Sequence, residues 1–423
     1  MRPALPLNLC RRNILFRRPL VSLRHASTFA KPEFSSFFFH NDQWAPSARR
    51  TSLLATPKPR RITQIAAVEN ALAGDGTPVE GYREAQVLNA RSLPKIYAQL
   101  SKSRLTTLMV LTTMGGVALS PLPTTVPLLL ATAVGTTLCS ASAMTMNQMA
   151  EVPFDAQMAR TRMRPLVRGA VSPLHAAGFA VVTGVGGPVL LWTMVNPTTA
   201  VLGALNIALY AGAYTWMKRK HVANTWVGAI VGGIPPLMGW TACGGHLIPS
   251  ADHPIHFFLP QFLSTVQSVP LDLAMIDNPL SPFALFMLLF SWQFPHFNSL
   301  SYVVRGSYAQ AGCKMLSVTN PQHNALVGLR HAALLFPICS ILFPLSGLTT
   351  WAFALTSLLP NAICTRAAWI FWKSGSEKQA RLVFQHSLWY LPVILGLMMV
   401  HKQGMDWGKW FGLEKEEAKK ELS

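Results

Sequence analysis

The sequence VPLLLATAVGTTLCSASAMTMNQMAEVPFDAQMARTRMRPL occupies residues 126–166 and joins a long apolar run to a strongly polar one. The apolar part carries no charged residue and is long enough to cross a membrane as a helix, which takes about 20 apolar residues. The polar part begins with Asn147, Glu151 and Asp155, spaced four residues apart. On a continuing helix this spacing places all three side chains along one stripe. The segment therefore predicts a membrane-spanning helix with oxygen ligands at one end.

Similar apolar runs recur along most of the chain. The predicted spans are residues 105–121, 125–147, 169–192, 198–216, 223–243, 281–299, 327–346, 349–372 and 386–401. Hydrophobic residues make up 50% of the 423 residues, charged residues only 13%, and the mean hydropathy is +0.30. Soluble domains are about one quarter charged, so a soluble enzyme and a single-anchor protein are both excluded. We predict an all-α polytopic membrane helix bundle of about nine transmembrane helices.

The basic residues lie mainly in the N-terminal part and in the short joints between apolar runs. A formal net charge of +19 distributed in this way is not a folded basic patch, so nucleic acid is not an expected partner. Residues 1–34 are rich in arginine with no acidic residue before Glu33, which is typical of a mitochondrial transit peptide. A disordered basic tail is the alternative. We predict a largely disordered matrix extension over 35–101, a transmembrane domain over 102–402 and a charged tail over 403–423.

The joints between the predicted spans form two alternating sets. Lysine and arginine occur in the joints 148–168, 217–222, 300–326 and 373–385. Neither occurs in the joints 122–124, 193–197, 244–280 and 347–348. The predicted transit peptide indicates a protein of the mitochondrial inner membrane. The positive-inside rule then predicts that its basic joints lie on the matrix side. The loop 244–280 faces away from them, so we assign it no catalytic part.

The oxygen ligands at the end of the second span indicate a metal and anion site. Carboxylate and amide oxygens suit Mg²⁺, which binds a few carboxylates together with substrate phosphates. Arg160, Arg162 and Arg164 follow at once and favour an anion beside that metal. The alternative is a solvated helix end with internal ion pairs. Ionisable residues are costly at a membrane-embedded helix end, so we favour a functional site over a solvated helix end.

Two further segments carry polar and aromatic residues at basic joints. Residues 214–240, YTWMKRKHVANTWVGAIVGGIPPLMGW, place Lys218 and Arg219 within reach of a phosphate, although such residues alone more often determine topology. Residues 291–316, SWQFPHFNSLSYVVRGSYAQAGCKML, contain an aromatic surface with polar tips. A planar ligand and an ordinary structural histidine both remain open for this segment.

These three segments resemble the UbiA-type intramembrane prenyltransferases, over roughly residues 90 to 400. Asn147, Glu151 and Asp155 running into RTRMRPL look like the first diphosphate-binding motif of that superfamily. The 214–240 block and the WQFPHF segment with Tyr308 resemble its mitochondrial, haem-modifying branch. The resemblance implies transfer of a farnesyl group from farnesyl diphosphate to a vinyl group of protohaem IX (haem B). The product would be haem O, on the route to haem A for cytochrome c oxidase.

The resemblance also implies roles for individual residues. The catalytic residues and Mg²⁺ ligands would be Asn147, Glu151 and Asp155. The diphosphate-binding residues would be Arg160, Arg164, Lys218 and Arg219. The haem-binding candidates would be Trp292, His296, Phe297 and Tyr308. Glu151 stands where the superfamily usually has Asp, and Ser307 stands where an acidic residue is common, so the resemblance does not carry a second metal site over to that segment.

Two other functions remain open at this level. The first is the same chemistry on an aromatic quinone precursor, which needs the metal motif but not the aromatic segment. The second is a multi-pass transporter without chemistry, which predicts ionisable residues near the bilayer midplane, whereas here they lie at one surface. Besides haem B and farnesyl diphosphate, the expected partners are inner-membrane lipid, a second copy of the chain, and factors of haem A synthesis or cytochrome c oxidase assembly.

Overall fold

The computed structural model describes residues 91–158, 160–260 and 276–405 of the chain. Within these ranges the regular secondary structure is helical, and one isolated β-bridge joins Thr349 to Lys402. The prediction of an all-α membrane bundle is thereby confirmed for the described part of the chain. The predicted transit peptide, and most of the predicted extension and C-terminal tail, lie outside the described residues.

Nine long helices and four short ones make up the described residues. The long helices are α2 (Ser103–Leu119), α3 (Val126–Asp155), α4 (Pro173–Met194), α5 (Pro197–Met217), α6 (Asn224–Ala242), α7 (Leu280–Val303), α10 (Pro321–Leu345), α12 (Leu358–Ser374) and α13 (Glu377–Val400). The short helices are α1 (Leu93–Leu100), α8 (Arg305–Gln310), α9 (Leu316–Thr319) and α11 (Ala352–Thr356). Two of the long helices contain π-helical stretches, Ala208–Tyr214 in α5 and Ile338–Leu342 in α10.

Each long helix of the described residues coincides with one predicted span. By length and composition, α3, α4, α5, α10 and α13 can each cross a membrane on their own. The other four long helices of the described residues do not meet this combined requirement of length and composition. Contacts with neighbouring helices must therefore contribute to holding these four in the bundle, since packing rather than apolarity alone drives helix association in lipid.

Several helices extend past the predicted bounds at their polar ends. Helix α3 continues beyond residue 147 to Asp155. Helix α13 begins at Glu377 and not at residue 386, because the Ser376 hydroxyl accepts a hydrogen bond from the Gln379 amide at 3.3 Å. Helix α10 also begins early, with Asn320 as its cap. These polar turns carry no strong apolar pattern, so a prediction from hydropathy leaves them out and makes the helices too short at these ends.

Helices α6 and α7 lie at the centre of the bundle. Helix α6 packs against α2, α5 and α7, and α7 packs in turn against α10 and α13. On the other side, α3 packs along α4 and also contacts α2. Trp240 of α6 and Tyr390 of α13 are fully buried in one apolar cluster. The bundle is thus two groups of helices that share the α6–α7 pair.

Helices α2 and α6 approach each other backbone to backbone. A Cβ atom at Gly239 of α6 would overlap the carbonyl oxygen of Thr113 in α2. A Cβ atom at Gly116 of α2 would likewise overlap the carbonyl oxygen of Pro236. Small residues permit this close approach between membrane helices. The contact fixes α2 against α6, and with it the residues just before α2.

The basic joints converge at one end of the bundle. The amide of Lys314, in the joint after α7, donates to the carbonyl oxygen of Lys218 at 3.0 Å. The Asn224 side chain at the start of α6 donates to the carbonyl oxygen of Lys314 at 3.1 Å. The joint after α3 emerges at the same end as the joint after α5, because Lys218 contacts Glu151 of α3. The joints that carry Arg164 and Lys218 are therefore neighbours in space.

We predict that Gly239→Ala destabilises the bundle by about 1–3 kcal/mol, the usual cost of overpacking, because the new methyl group meets an immovable backbone carbonyl. Gly115→Ala is the matched control, since no atom lies within 4 Å of a Cβ placed there. Thermal unfolding in detergent measures both variants. Equal melting temperatures for the two would contradict the close α2–α6 contact.

Candidate active site

Three polar side chains are buried along the last turns of α3. Asn147, Glu151 and Asp155 are 1%, 5% and 1% exposed. Helix α3 continues through Pro153 to Asp155, so the spacing of four residues keeps the three on one stripe. Burying two carboxylates is costly unless each is paired and hydrogen-bonded. Partners from other elements are therefore required.

Two cationic side chains pair with these carboxylates. Lys218, at the end of α5, places its Nζ 2.7 Å from Glu151 Oε1. Arg164, in the joint after α3, contacts Asp155 Oδ2 through Nη1, and the same nitrogen lies 3.7 Å from Glu151 Oε2. Both cations are among the residues predicted to bind diphosphate. The structure brings them together with the predicted metal ligands.

Lys102 is a third cation at the same place. Its Nζ donates to Asn147 Oδ1 at 2.8 Å and to the Tyr210 hydroxyl at 3.4 Å. Lys102 has a φ of 48°, and among the described residues it is the one non-glycine with positive φ. Burial, followed by the charge of Arg164, lowers the pKa of Lys102 to about 7. An anion beside Nζ would favour its charged form.

Aromatic and hydroxyl groups of α5 line the cluster. Asn147 Nδ2 donates to Thr215 Oγ1 at 3.0 Å. The rings of Tyr210 and Tyr214, here named the tyrosine pair, stack with centroids 5.2 Å apart. The Nζ of Lys218 lies 5.6 Å from the Tyr214 ring centroid, and the π-helical stretch of α5 supplies both rings. The tyrosine pair thus presents aromatic faces to the cations.

The polar cluster, defined as Lys102, Asn147, Glu151, Asp155, Arg164 and Lys218, combines three cations with two carboxylates. Within the described part of the chain, Asp155 Oδ1 is buried without a hydrogen-bond partner. A buried carboxylate oxygen left unpartnered beside a second carboxylate fits a hard divalent cation such as Mg²⁺. The three cations outnumber the two carboxylates by one, and this excess positive charge favours an anion in the same cluster.

Two predicted phosphate contacts lie apart from this cluster. Arg160 is exposed. Arg219 is exposed as well, and its guanidinium carbon lies 3.6 Å from the centroid of the Phe154 ring. Phe154 directly precedes Asp155 in α3. Arg219 is therefore beside the cluster, whereas Arg160 projects to the surface.

The four haem candidates fall into two groups. Trp292 donates from Nε1 to the Ser387 carbonyl oxygen at 3.0 Å, and His296 Nδ1 lies 2.8 Å from the Ser387 hydroxyl, so both contact α13. Their rings stack with centroids 4.8 Å apart. Phe297 and Tyr308 pack instead in an apolar cluster that includes Phe154 and Met158. Only this second group borders the end of α3.

Sequence reasoning missed Lys102, Tyr210 and Thr215. The sequence signal for Lys102 is a lysine just before the first apolar run, and the positive-inside rule explains such a lysine equally well. The signal for Tyr210 is a tyrosine inside a predicted span. Neither pattern specifies a contact. Lys102 and Thr215 reach Asn147, and Tyr210 reaches Lys102, only through the packing of α2 and α5 on α3.

A bundle of apolar helices with a buried carboxylate and cation cluster at one end defines a membrane-embedded enzyme. The sequence profile of the UbiA prenyltransferase family matches residues 109–389, and the chain belongs to this family. Two fungal relatives carry the name mitochondrial protoheme IX farnesyltransferase. The chain is 38% identical to the Eremothecium gossypii protein, over 96% of this chain and 88% of that protein. It is 44% identical to the Yarrowia lipolytica protein, over 77% of this chain and 66% of that protein.

A solved structure of a digeranylgeranylglyceryl phosphate synthase has a similar fold. The TM-score is 0.53 and the sequence identity is 16%, over 73% of this chain and 98% of that one. At this identity the likeness concerns the arrangement of helices alone. It agrees with the helix bundle described above.

Proposed function

We propose that the chain transfers a farnesyl group from farnesyl diphosphate to a vinyl group of haem B. Diphosphate leaves, water adds to the same vinyl group, and the product is haem O with its hydroxyethylfarnesyl side chain. The observation that carries this proposal is the polar cluster, which buries two carboxylates with three cations at the end of an apolar bundle. The names of the fungal relatives support the choice of farnesyl diphosphate and haem as substrates. The geometry supports prenyl transfer as follows.

The cations of the polar cluster bind the diphosphate. Lys218 and Arg164 pair with carboxylates in the free protein, and Lys102 contacts an amide oxygen. Fixed cations beside the departing diphosphate stabilise the charge that develops on it. The backbone that carries them is already fixed by packing, so side-chain rotation brings them to the phosphates when the substrate enters.

Asn147, Glu151 and Asp155 are the residues that would hold Mg²⁺. The unpartnered Asp155 Oδ1 supports this assignment. When bound, Mg²⁺ supplies positive charge that helps to neutralise the leaving diphosphate. Because Lys218 and Arg164 occupy carboxylate oxygens in the free protein, we infer that they turn toward the phosphates when the carboxylates bind the metal.

The aromatic lining protects the reactive farnesyl carbon. Loss of diphosphate leaves positive charge on an allylic carbon, which must be kept from bulk water. The tyrosine pair presents aromatic rings at the cluster, and aromatic faces attract positive charge. Phe297 and Tyr308 pack beside Phe154, which makes them the haem candidates nearest to the donor.

Trp292 and His296 would also contact haem, but they lie farther from the diphosphate than Phe297 and Tyr308 do. Both side chains are half-buried and lie between α7 and α13. The stacked ring pair offers a flat surface of the kind that a porphyrin requires. We propose that this surface positions the macrocycle while one edge of the haem meets the farnesyl carbon.

The chain is a mitochondrial membrane protein, in agreement with the names of its relatives and its membrane-spanning helices. We further propose that residues 1–34 are a transit peptide and that the polar cluster faces the matrix from the inner membrane. The convergence of the basic joints at the cluster supports this orientation, because basic joints remain on the side from which a protein inserts.

The direct test incubates the purified protein in detergent with haem B, farnesyl diphosphate and Mg²⁺ and identifies the porphyrin product by mass spectrometry. We expect haem O. A parallel incubation replaces haem B with an aromatic quinone precursor. If that precursor is farnesylated and haem B is not, farnesyl diphosphate is the donor but haem B is not the acceptor.

For the metal ligand, we predict that Asp155→Asn accumulates normally but turns over at least ~10–100-fold more slowly, since even indirect disturbance of a metal site costs that much. Raising the Mg²⁺ concentration should restore part of the rate. Glu377→Gln is the control, because Glu377 is an exposed carboxylate that pairs with Arg305. Near-normal turnover of Asp155→Asn at ordinary Mg²⁺ would reject the metal assignment.

For the additional cation, we predict that Lys102→Met raises the KM for farnesyl diphosphate roughly 10- to 100-fold, the usual worth of a hydrogen bond to a charged group. Lys220→Met removes an exposed lysine that lies over the Trp216 ring and should change little. Steady-state kinetics with varied farnesyl diphosphate separates KM from kcat. If both variants have the wild-type KM, Lys102 does not bind the donor.

For the acceptor, we predict that His296→Ala weakens haem binding, measured by absorbance titration, while farnesyl diphosphate binding stays nearly intact. Ser387→Ala removes the same hydrogen bond but keeps the imidazole. A loss of haem affinity in His296→Ala alone indicates direct contact with haem. Equal losses in both variants would mean that His296 only holds α7 against α13.

A further inference from the structure

A second cluster of metal-binding side chains lies at the opposite end of the bundle. His246 and His253 follow α6, and Asp277 precedes α7. One ligand atom from each of these residues lies within 4.8 Å of the other two. Within the described ranges, this is the one group of three histidine, cysteine or acidic residues that meets this separation. We name it the His–His–Asp cluster.

Asp277 is held in place by three donors. Its Oδ2 accepts from the backbone amide of His246 at 2.8 Å and lies 2.7 Å from His246 Nδ1. Its Oδ1 accepts from Trp240 Nε1 at 3.3 Å. Next to it, Asn278 donates to the carbonyl oxygens of His256 and Ser346. The carboxylate therefore has a fixed position at the base of the loop.

The two imidazole rings are gathered over this carboxylate. The centroids of His246 and His253 lie 3.8 Å apart, at an interplanar angle of 23°. The side chain of His246 is 50% exposed and that of Asp277 is 8% exposed. The cluster is thus rigid on the protein side and open to ions on the solvent side.

The charges around the cluster favour a cation. Residues 244–280 contain no lysine or arginine, and three aspartates occur there. Two imidazoles and one carboxylate are ligands typical of Zn²⁺, at about 2.0–2.2 Å from each ligand atom. Around one ion the ligand atoms would be roughly 3.3 Å apart, the separation of tetrahedral vertices at those bond lengths. In the structure all three ligand atoms lie within 4.8 Å of one another, and His246 Nδ1 and Asp277 Oδ2 are 2.7 Å apart.

We infer that His246, His253 and Asp277 form a Zn²⁺ site with a free fourth position. This site is separate from the polar cluster. Asn224 begins α6 at the basic end and Trp240 lies sixteen residues later, which corresponds to about 24 Å along the helix axis. The inference therefore does not rest on the proposed prenyl transfer.

The bound ion would connect the two ends of the loop. His246 and His253 belong to the segment that leaves α6, and Asp277 belongs to the segment that enters α7. A metal bound to all three links the two central helices on the side away from the polar cluster. Ligand binding to the folded state alone stabilises that state by mass action, so Zn²⁺ should raise the melting temperature.

The experiment uses the full chain in detergent, stripped with a chelator and then equilibrated with Zn²⁺ in the presence of excess Mg²⁺. We expect one Zn²⁺ per chain after gel filtration, by elemental analysis, and a rise in melting temperature. Substitution with Co²⁺ should give the intense visible absorption of a tetrahedral site. His253→Ala and Asp277→Asn should bind Zn²⁺ at least ~10–100-fold more weakly.

Two controls distinguish this site from other sources of binding. His256→Ala removes a neighbouring histidine that is outside the cluster, and Asp155→Asn alters the polar cluster alone. Both should bind Zn²⁺ as the wild type does. If His253→Ala folds and retains full Zn²⁺ affinity, or if the wild type binds no Zn²⁺, the site is rejected. Because every readout is metal binding or stability, loss of prenyl transfer activity would not affect the result.

Discussion

The arrangement of the bundle depends on the burial of two carboxylates at the end of α3. Glu151 and Asp155 would be very costly at this depth without partners, and each side chain that pairs with them comes from a different part of the chain. Lys218 arrives from the end of α5 and Arg164 from the joint after α3. The pairing thus fixes how α5 and that joint sit against α3.

The same constraint explains why the two ends of the molecule differ. One end gathers lysine and arginine around carboxylates, whereas the loop after α6 has histidine and aspartate without any lysine or arginine. Helices α6 and α7 run between these ends and form the packed centre. The two ends therefore suit different ligands, because cationic side chains attract anions and imidazole with carboxylate binds divalent metals.

Much of the fold could be predicted from sequence, because apolar runs mark the nine long helices of the described residues and lysine and arginine mark one of the two sets of joints. The stripe of Asn147, Glu151 and Asp155 could also be predicted, since it lies on a single helix and depends on periodicity alone. Lys102 could not be, because its contact with Asn147 depends on the packing of α2 and on a left-handed backbone. The direction of His296 could not be either, since periodicity does not identify which neighbour a helix face meets.

The π-helical stretch of α5 absorbs one extra residue between the apolar part of the helix and the residues that reach α3. A π-turn holds one residue more than an α-turn for a similar sweep about the axis, so deleting a single residue within the stretch would restore α-helical hydrogen bonding and leave Lys218 facing nearly the same way. The same deletion elsewhere in α5 would rotate everything downstream by about 100° and turn Lys218 away from Glu151. Length changes in α5 are therefore constrained by angular phase outside the π-helical stretch and compensated within it.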